Sequence, residues 1–335
     1  MTLSPDDSTH TQGRGTELKH SFVHSRGVRL HVATQGPTKL PAEDATPSAS
    51  PAASAPTAAS ATPRRAPLLL FVHGFGGGYF DFEPLFDQLA SHPCRLAAVD
   101  LRGYGRSDKT PRGYDLTTAA SDIAGVIRGL GYADATVIGH GYGGMVGWTL
   151  AAHEPERVRH LVTLSSAHPI EQTRHIVTRP LTQWKRARSS LFAQLPRLPE
   201  RQLTRDNAAA AEALFRQGVA PGFRDTDPYR TFAAARREAM QVDKVAHLAS
   251  EYRRWLFRSR FRPEGRIFDR SFPKRTAAPV LAIDGSMDPD YSPVLTKRSV
   301  ARGGEGSHAK LIYGVGHYPH IEDPEVVADL IRTVL

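Results

Sequence analysis

Three short segments of the chain hold residues that could carry out acid–base or nucleophilic chemistry. His317 lies in the sequence GHYP, and an imidazole can accept or donate a proton near neutral pH. Asp288 lies in DPD, a sequence that also suits an ordinary turn. The third segment, GHGYG at 139–143, sets Gly141 in a sharp, glycine-rich turn. Each segment follows a predicted strand, so the arrangement of the strands decides whether these residues can meet.

Predicted strands and helices alternate along most of the chain. Two short strands flank the turn at 25–27, and a helix is predicted from Pro324 onward. This alternation predicts a mostly parallel sheet with helices on both faces. The other predicted strands are 67–73, 95–100, 136–139, 158–164, 279–284 and 309–313, and the other predicted helices are 79–91, 117–130, 142–153 and 293–302.

A mostly helical, arginine-rich segment at 170–275 interrupts the alternation late in the sheet. Its position predicts a lid over the carboxyl ends of the strands, where α/β proteins bind ligands. It holds 23 Lys/Arg against 11 Asp/Glu, while the whole chain has a net charge of +9. Such a charge could attract an anionic ligand, an acidic partner or a membrane surface, or it could simply belong to solvated helix faces. No nucleic-acid motif accompanies it, so we expect no nucleic-acid partner.

The remaining composition bounds the domain organisation. Residues 1–20 are polar and residues 38–66 are rich in Pro, Ala and Ser, and we predict that both are disordered. Residues 21–169 and 276–335 then form one core domain. The single cysteine excludes a disulfide framework and a multi-cysteine zinc site. The absence of a long apolar run or of a secretory signal predicts a cytoplasmic protein without an integral membrane segment.

Several signatures in the same order resemble those of the α/β-hydrolase superfamily, most closely its epoxide-hydrolase-like and dehalogenase-like branch. The resemblance covers most of residues 21–335 and implies the α/β-hydrolase fold, with an eight-stranded, mostly parallel sheet. The signatures are HGFGGG at 73–78, DLRGYGRSDK at 100–109, VIGHGYGG at 137–144, AHP at 167–169, IDGSMDPDYSP at 283–293 and GVGHYPHIEDP at 314–324.

The resemblance also implies roles for individual residues. His317 matches the histidine that deprotonates a nucleophile or a water. Asp288 matches the carboxylate that orients this histidine, with Asp284 and Asp290 as the alternatives. Backbone N–H groups of Phe75 and Tyr142 would stabilise a developing oxyanion. Family lids of this branch use tyrosines to polarise an epoxide oxygen; the lid residues Tyr229 and Tyr252 could do so, or could belong to the core of the lid.

The sequence departs from the family at the centre of the turn, where the nucleophile should be. Position 141 is glycine instead of Ser, Asp or Cys, so no covalent intermediate can form there. We expect no replacement nucleophile from the other residues considered. His140 should point into the packing around its strand, Tyr142 has a high ordinary pKa, no sharp turn presents Ser165 or Ser166, and Cys94 reads as a buried apolar residue.

Two functional hypotheses follow. The first is a divergent hydrolase that acts on a small ester- or epoxide-like molecule through His317, Asp288 and a water, or that abstracts a substrate proton. The second is a catalytically inactive homologue that binds a ligand or regulates another protein, because a fold alone does not determine function. Both hypotheses imply a small-molecule ligand. If this ligand were anionic, the basic lid would attract it. We expect no cofactor and no metal, and the sequence does not predict the oligomeric state.

Overall fold

Eight strands form a single sheet in the order β1-β2-β4-β3-β5-β6-β7-β8. The computed structural model describes residues 17–40, 64–178 and 191–335. β1 and β2 are antiparallel, β2 is antiparallel to β4, and all other neighbours are parallel. The predicted mostly parallel α/β-hydrolase sheet is therefore confirmed. The strands are β1 Lys19–Ser25, β2 Val28–Gln35, β3 Leu68–Val72, β4 Arg95–Val99, β5 Ala135–His140, β6 Val158–Leu164, β7 Val280–Gly285 and β8 His308–Ile312.

Helices cover both faces of the sheet, as its all-apolar central strand requires. Every residue of β3 is buried, and successive residues point to opposite faces. Leu70 therefore packs in the cluster that includes residues of α2 and α3, whereas Phe71 packs with α1 and α11. These helices are α1 Glu83–Leu89, preceded by a 3-10 turn at Tyr79–Phe82, α2 Leu116–Gly129, α3 Tyr142–His153 and α11 Pro324–Arg332, with α9 Pro293–Val300 and the short α10 Pro319–Glu322 also after the lid.

In the described part of the chain, five further α-helices lie between β6 and β7, where the lid is predicted. A buried ion pair joins this region to the core: Arg236 Nη1 lies 2.7 Å from Asp81 Oδ1, and both side chains are about 98% excluded from solvent. The second of these helices is not regular throughout, because residues 205–208 leave the helical conformation. The five helices are α4 Pro169–Thr178, α5 Leu198–Gly218, α6 Asp227–Gln241, α7 Val245–Arg258 and α8 Pro263–Ser271.

The two tracts predicted as disordered lie mainly outside the described residues, but their edges are visible. β1 begins at Lys19, so the last two residues of the predicted tail belong to the sheet, where they pair with β2. Residues 38–40 and 64–66, at the two ends of the predicted tract at 38–66, are described as well. Lys39 and Arg65 form an antiparallel bridge, and backbone hydrogen bonds join the segment before the tract to the segment after it.

Within the described ranges, none of the helices combines the length and the apolar character needed to span a bilayer.

Candidate functional site

Gly141 occupies the sharp turn between β5 and α3. Its φ of 52° and ψ of −113° fall where side chains are strongly disfavoured, and glycine adopts this conformation without a Cβ clash. A Cβ placed on Gly141 would lie 3.8 Å from His317 Nε2 and 3.8 Å from Gly74 Cα, and no described atom outside the two adjoining residues would lie closer. A side chain at this position would therefore begin within contact distance of the His317 imidazole.

His317 and Asp288 form a hydrogen-bonded pair beside this turn. The His317 Nδ1 atom lies 2.8 Å from Asp288 Oδ2, and the aspartate side chain is only 3% exposed. Since a neutral imidazole has one N–H, an Nδ1–H that donates to the carboxylate leaves the Nε2 lone pair toward position 141. The backbone N–H of His317 donates to Gly218 O at 2.8 Å, so the end of α5 fixes the loop that carries the histidine.

Asp288 is the carboxylate that hydrogen-bonds His317, and the two alternatives have other positions. Asp284 is buried and accepts a hydrogen bond from the Thr296 hydroxyl at 2.6 Å. Burial and the neighbouring Asp288 raise the pKa of Asp284 to about 6, against the opposing effects of Thr296 and His317. Asp290 is exposed, and its backbone N–H donates to Asp288 Oδ1 at 2.8 Å. This bond helps to hold the Asp288 carboxylate in place.

The two predicted oxyanion-binding amides lie on loops next to Gly141. Tyr142 is the first residue of α3, where backbone N–H groups have no acceptor within the helix. The Phe75 N–H makes no hydrogen bond to any residue that the structure describes. His73 anchors the Phe75 loop, because its Nδ1–H donates to Gly74 O at 2.8 Å and its Nε2 accepts from Leu101 N at 3.0 Å. Burial lowers the pKa of His73, which keeps the imidazole neutral for this double role.

The family comparison agrees with the fold described above. The family model described as alpha/beta hydrolase fold matches residues 67–324. The chain belongs to the α/β-hydrolase fold family. Mouse epoxide hydrolase 4 is 34% identical over 154 residues, which span 45% of this chain and 42% of that protein. The Bacillus subtilis AB hydrolase superfamily protein YfhM is 32% identical over 190 residues, 56% of each chain.

The chain spans only about half the length of these curated relatives. An epoxide hydrolase crystal structure from Bacillus megaterium is similar over 94% of this chain and 99% of that one, with a TM-score of 0.72 and 23% identity. At this identity, the structural likeness shows the fold alone. Together, the sequence and family matches make the protein a hydrolase-family member with epoxide hydrolases among its homologues.

Four of the five other candidate nucleophiles are engaged in hydrogen bonds or are buried in their protonated form. The His140 Nε2–H donates to the backbone oxygen of His317 at 3.0 Å, and burial lowers the pKa of its imidazole well below the ordinary value. The Ser166 hydroxyl donates to Gly141 O at 2.6 Å. Burial raises the pKa of the Cys94 thiol to about 12 and that of the Tyr142 phenol well above 10. Ser165 lies at the end of β6 with a φ of 47°, and its hydroxyl has no partner among the described residues.

The two lid tyrosines pack within the protein. The Tyr252 hydroxyl donates to the backbone oxygen of Arg102 at 2.9 Å, and its side chain is buried. Tyr229 is also buried, and its ring stacks on Phe215 with centroids 5.4 Å apart. These contacts favour the core-packing interpretation of both residues.

A buried cluster next to the site was not predicted from sequence. Asp81, His140 and His320 place ligand-type atoms within 4.8 Å of one another, and all three residues are buried. Asp81 Oδ2, His140 Nδ1 and both His320 nitrogens have no hydrogen-bond partner among the described residues. Two imidazoles and a carboxylate suit a divalent transition metal. The Arg236 guanidinium on Asp81 Oδ1 nevertheless places a fixed positive charge beside the cluster, which opposes a cation there.

A second group of possible metal ligands, Asp288, Asp290 and His317, includes the hydrogen-bonded pair of His317 and Asp288, which we call the dyad. Here the His317 Nδ1 atom is already committed to Asp288. One feature of the sequence indicated the buried cluster: His320 lies only three residues after His317. No sequence feature indicated Asp81.

Proposed function

We propose that this protein hydrolyses a small organic ester- or epoxide-like molecule with water, and that it does so without a covalent intermediate. The observation that carries the proposal is the position of His317 Nε2, 3.8 Å from where a Cβ at Gly141 would lie. This is the direction in which a family nucleophile would meet its base. With glycine there, the same space can admit a water next to the imidazole.

The proposed ester reaction uses this dyad as a general base and then as a general acid. His317 Nε2 takes a proton from water as the water oxygen bonds to the carbonyl carbon. The amides of Phe75 and Tyr142 donate to the oxyanion that forms. The intermediate then breaks its bond to the alcohol oxygen, which receives the proton from His317, and Asp288 stabilises the imidazolium between the two steps. The products are a carboxylic acid and an alcohol.

The second candidate function is ligand binding or regulation without catalysis. The glycine at position 141 favours it, because this residue removes both the covalent step and the strain of the elbow turn. In a serine protease without its triad, the oxyanion hole and binding still accelerate the reaction roughly 10³-fold to 10⁴-fold over water. Weak catalysis by such a fold is therefore physically reasonable, and kinetics must separate the two candidates.

Hydrolysis of p-nitrophenyl acetate and of styrene oxide by the wild type, His317→Ala and Gly141→Ser tests the proposal. We expect His317→Ala to lower kcat/KM by about 10²-fold or more, because it removes the general base. Gly141→Ser should raise ester hydrolysis and give a burst of p-nitrophenol, since it restores a nucleophile facing the base. His308→Ala, which changes an exposed histidine, serves as the control.

Two results would reject the water mechanism. A wild-type rate equal to that of His317→Ala would favour the non-catalytic candidate. A stable adduct between the wild type and an organophosphate, located by mass spectrometry on another residue, would show a covalent nucleophile elsewhere in the chain.

A further inference from the structure

A cleft of about 700 Å³ lies between α4, the segment before β7 and the end of α9. None of the proposed catalytic residues lines it. Five of its lining residues are positively charged and one is negatively charged, and we call it the cationic cleft. The charged residues are Arg174, Lys274, Arg275, Arg298, Arg302 and Glu171.

The protein fixes two guanidinium groups at the cationic cleft. Buried Glu171 accepts two hydrogen bonds through Oε1, from Arg302 Nε at 2.9 Å and from Arg302 Nη2 at 2.6 Å. Arg275 Nε donates to the backbone oxygen of Ala301 at 3.2 Å. These bonds hold the two arginines in one orientation, which reduces the entropy that a ligand would lose on binding them.

The positive charge of the cleft is largely uncompensated. Glu171 neutralises one charge, and Lys274, Arg275 and Arg298 form no ion pair within the described parts of the chain. An external anion is therefore the natural counter-charge for this surface.

We propose that the cationic cleft binds a small molecule carrying two or more phosphate groups. Arginine guanidinium groups match phosphate oxygens through paired N–H donors, and four of the five cations here are arginines. The volume is within the range of small-molecule sites. Exposed single ion pairs contribute little, so the ligand needs several charges that contact several cations at once. A compact ligand of this kind can contact several of the cleft's cations at once.

Calorimetric titration of the full-length protein with inorganic pyrophosphate and tripolyphosphate tests this site. We expect tripolyphosphate to bind more tightly than pyrophosphate, with one site per chain and an affinity that falls with added salt. Arg298→Ala and Lys274→Ala should each weaken Kd by about fivefold to tenfold. Arg266→Ala changes an exposed arginine on α8 outside the cleft and should leave Kd within twofold. Circular dichroism verifies that each variant is folded.

Three results would overturn the proposal. One is no heat of binding with 1 mM of either anion. Another is equal weakening by Arg266→Ala, which would indicate attraction by overall charge rather than by a site. The third is tighter binding of RNA or of phosphatidylserine vesicles than of tripolyphosphate, lost in Arg298→Ala, which would assign the cleft to a macromolecule or a membrane. His317→Ala should bind tripolyphosphate normally, so this test is independent of the proposed hydrolysis.

Discussion

At the level of single residues, position 141 links catalytic capacity to backbone strain. The backbone there has a φ of 52°, which a residue with a side chain adopts only at a cost of about 1–3 kcal/mol. Glycine avoids this cost, and it has no side chain that could act as a nucleophile. Hydrolases that keep a side chain at an elbow accept the strain because it exposes the nucleophile. The proposed water mechanism therefore uses a turn whose backbone conformation glycine adopts without this strain.

Asp284 provides a pH-dependent prediction at the same scale. Its pKa of about 6 lies above the unfolded value of 3.8, because burial and Asp288 disfavour the charged form. Because its pKa is raised, the Asp284 carboxyl binds its proton more tightly in the folded state than in the unfolded state. The free energy of unfolding therefore decreases as the pH rises from about 4 to 6. The full effect above pH 6 is about 3 kcal/mol. We expect Asp284→Asn to unfold at higher urea concentration than the wild type at pH 8.

The comparison at low pH checks the cause of that difference. At pH 4 the native carboxyl is protonated, so the stability of Asp284→Asn should approach that of the wild type. Glu305→Gln, which neutralises an exposed carboxylate, should differ little from the wild type at either pH. A stability difference for Asp284→Asn that is the same at pH 4 and pH 8 would attribute it to packing rather than to charge.

At the level of elements, one buried ion pair connects the lid to the core. Arg236 on α6 bonds Asp81 in the 3-10 turn, and its guanidinium also lies 4.4 Å from the Phe215 ring and 4.8 Å from the Tyr318 ring. Tyr318 is next to His317, so the contacts of Arg236 reach the loop that carries the proposed base. The pair therefore couples lid docking to the position of that loop.

We expect Arg236→Ala to destabilise the protein by about 3–5 kcal/mol, because it leaves the Asp81 carboxylate buried without its cation. Urea unfolding followed by circular dichroism measures the change. The double variant Arg236→Met/Asp81→Asn removes both charges and should recover most of the loss.

The neighbouring pair of Arg237 and Glu212 is a matched control. Its 3.0 Å contact has both side chains about one-third exposed, so Arg237→Ala should cost less than about 1 kcal/mol. Equal losses for the two arginine variants would show that burial does not control the strength of these pairs.

Local sequence signals predicted the core elements better than the lid. The predicted helix at 142–153 and strand at 158–164 have the observed bounds, because a glycine turn and an apolar run define them locally. The predicted helix at 79–91 begins instead with a 3-10 turn, and Pro84 then occupies the first turn of α1. In α5 the helix is broken at 205–208, where three successive residues have positive φ without any glycine. Helical periodicity contains no information about such a break.

At the scale of the whole molecule, motifs predicted the residues of the candidate site but not the contacts that hold those residues in place. The loops after β3, β5, β7 and β8 bring Phe75, Gly141, Asp288 and His317 to the carboxyl edge of the sheet. The signatures suggested this because parallel strands end at a common edge. The ion pair between Arg236 and Asp81, which are 155 positions apart, depends on lid docking and leaves no local pattern.

The architecture also predicts that residues 41–63 can be removed. The flanking chain ends meet, since Leu40 N donates to Arg64 O at 2.8 Å and Ala66 N donates to Thr38 O at 3.2 Å. Residues 41–63 contain no aromatic residue and no Leu, Ile, Val or Met, so their deletion removes no large apolar side chain. An Asn-Gly turn suits a connection between antiparallel segments. Replacing 41–63 with Asn-Gly shortens the loop and should stabilise folding by up to about 2 kcal/mol.

Scanning calorimetry measures the effect. We expect the Tm of the Asn-Gly variant to stay constant or to rise by a few degrees. A Gly/Ser segment of the original length is the control, and its Tm should match the wild type, because only loop length distinguishes the two variants. Since the deletion leaves every proposed catalytic residue in place, any ester hydrolysis by the wild type should retain its kcat/KM. A Tm decrease of more than about 5 °C in both variants would mean that residues 41–63 stabilise the fold through specific contacts, contrary to what their composition indicates.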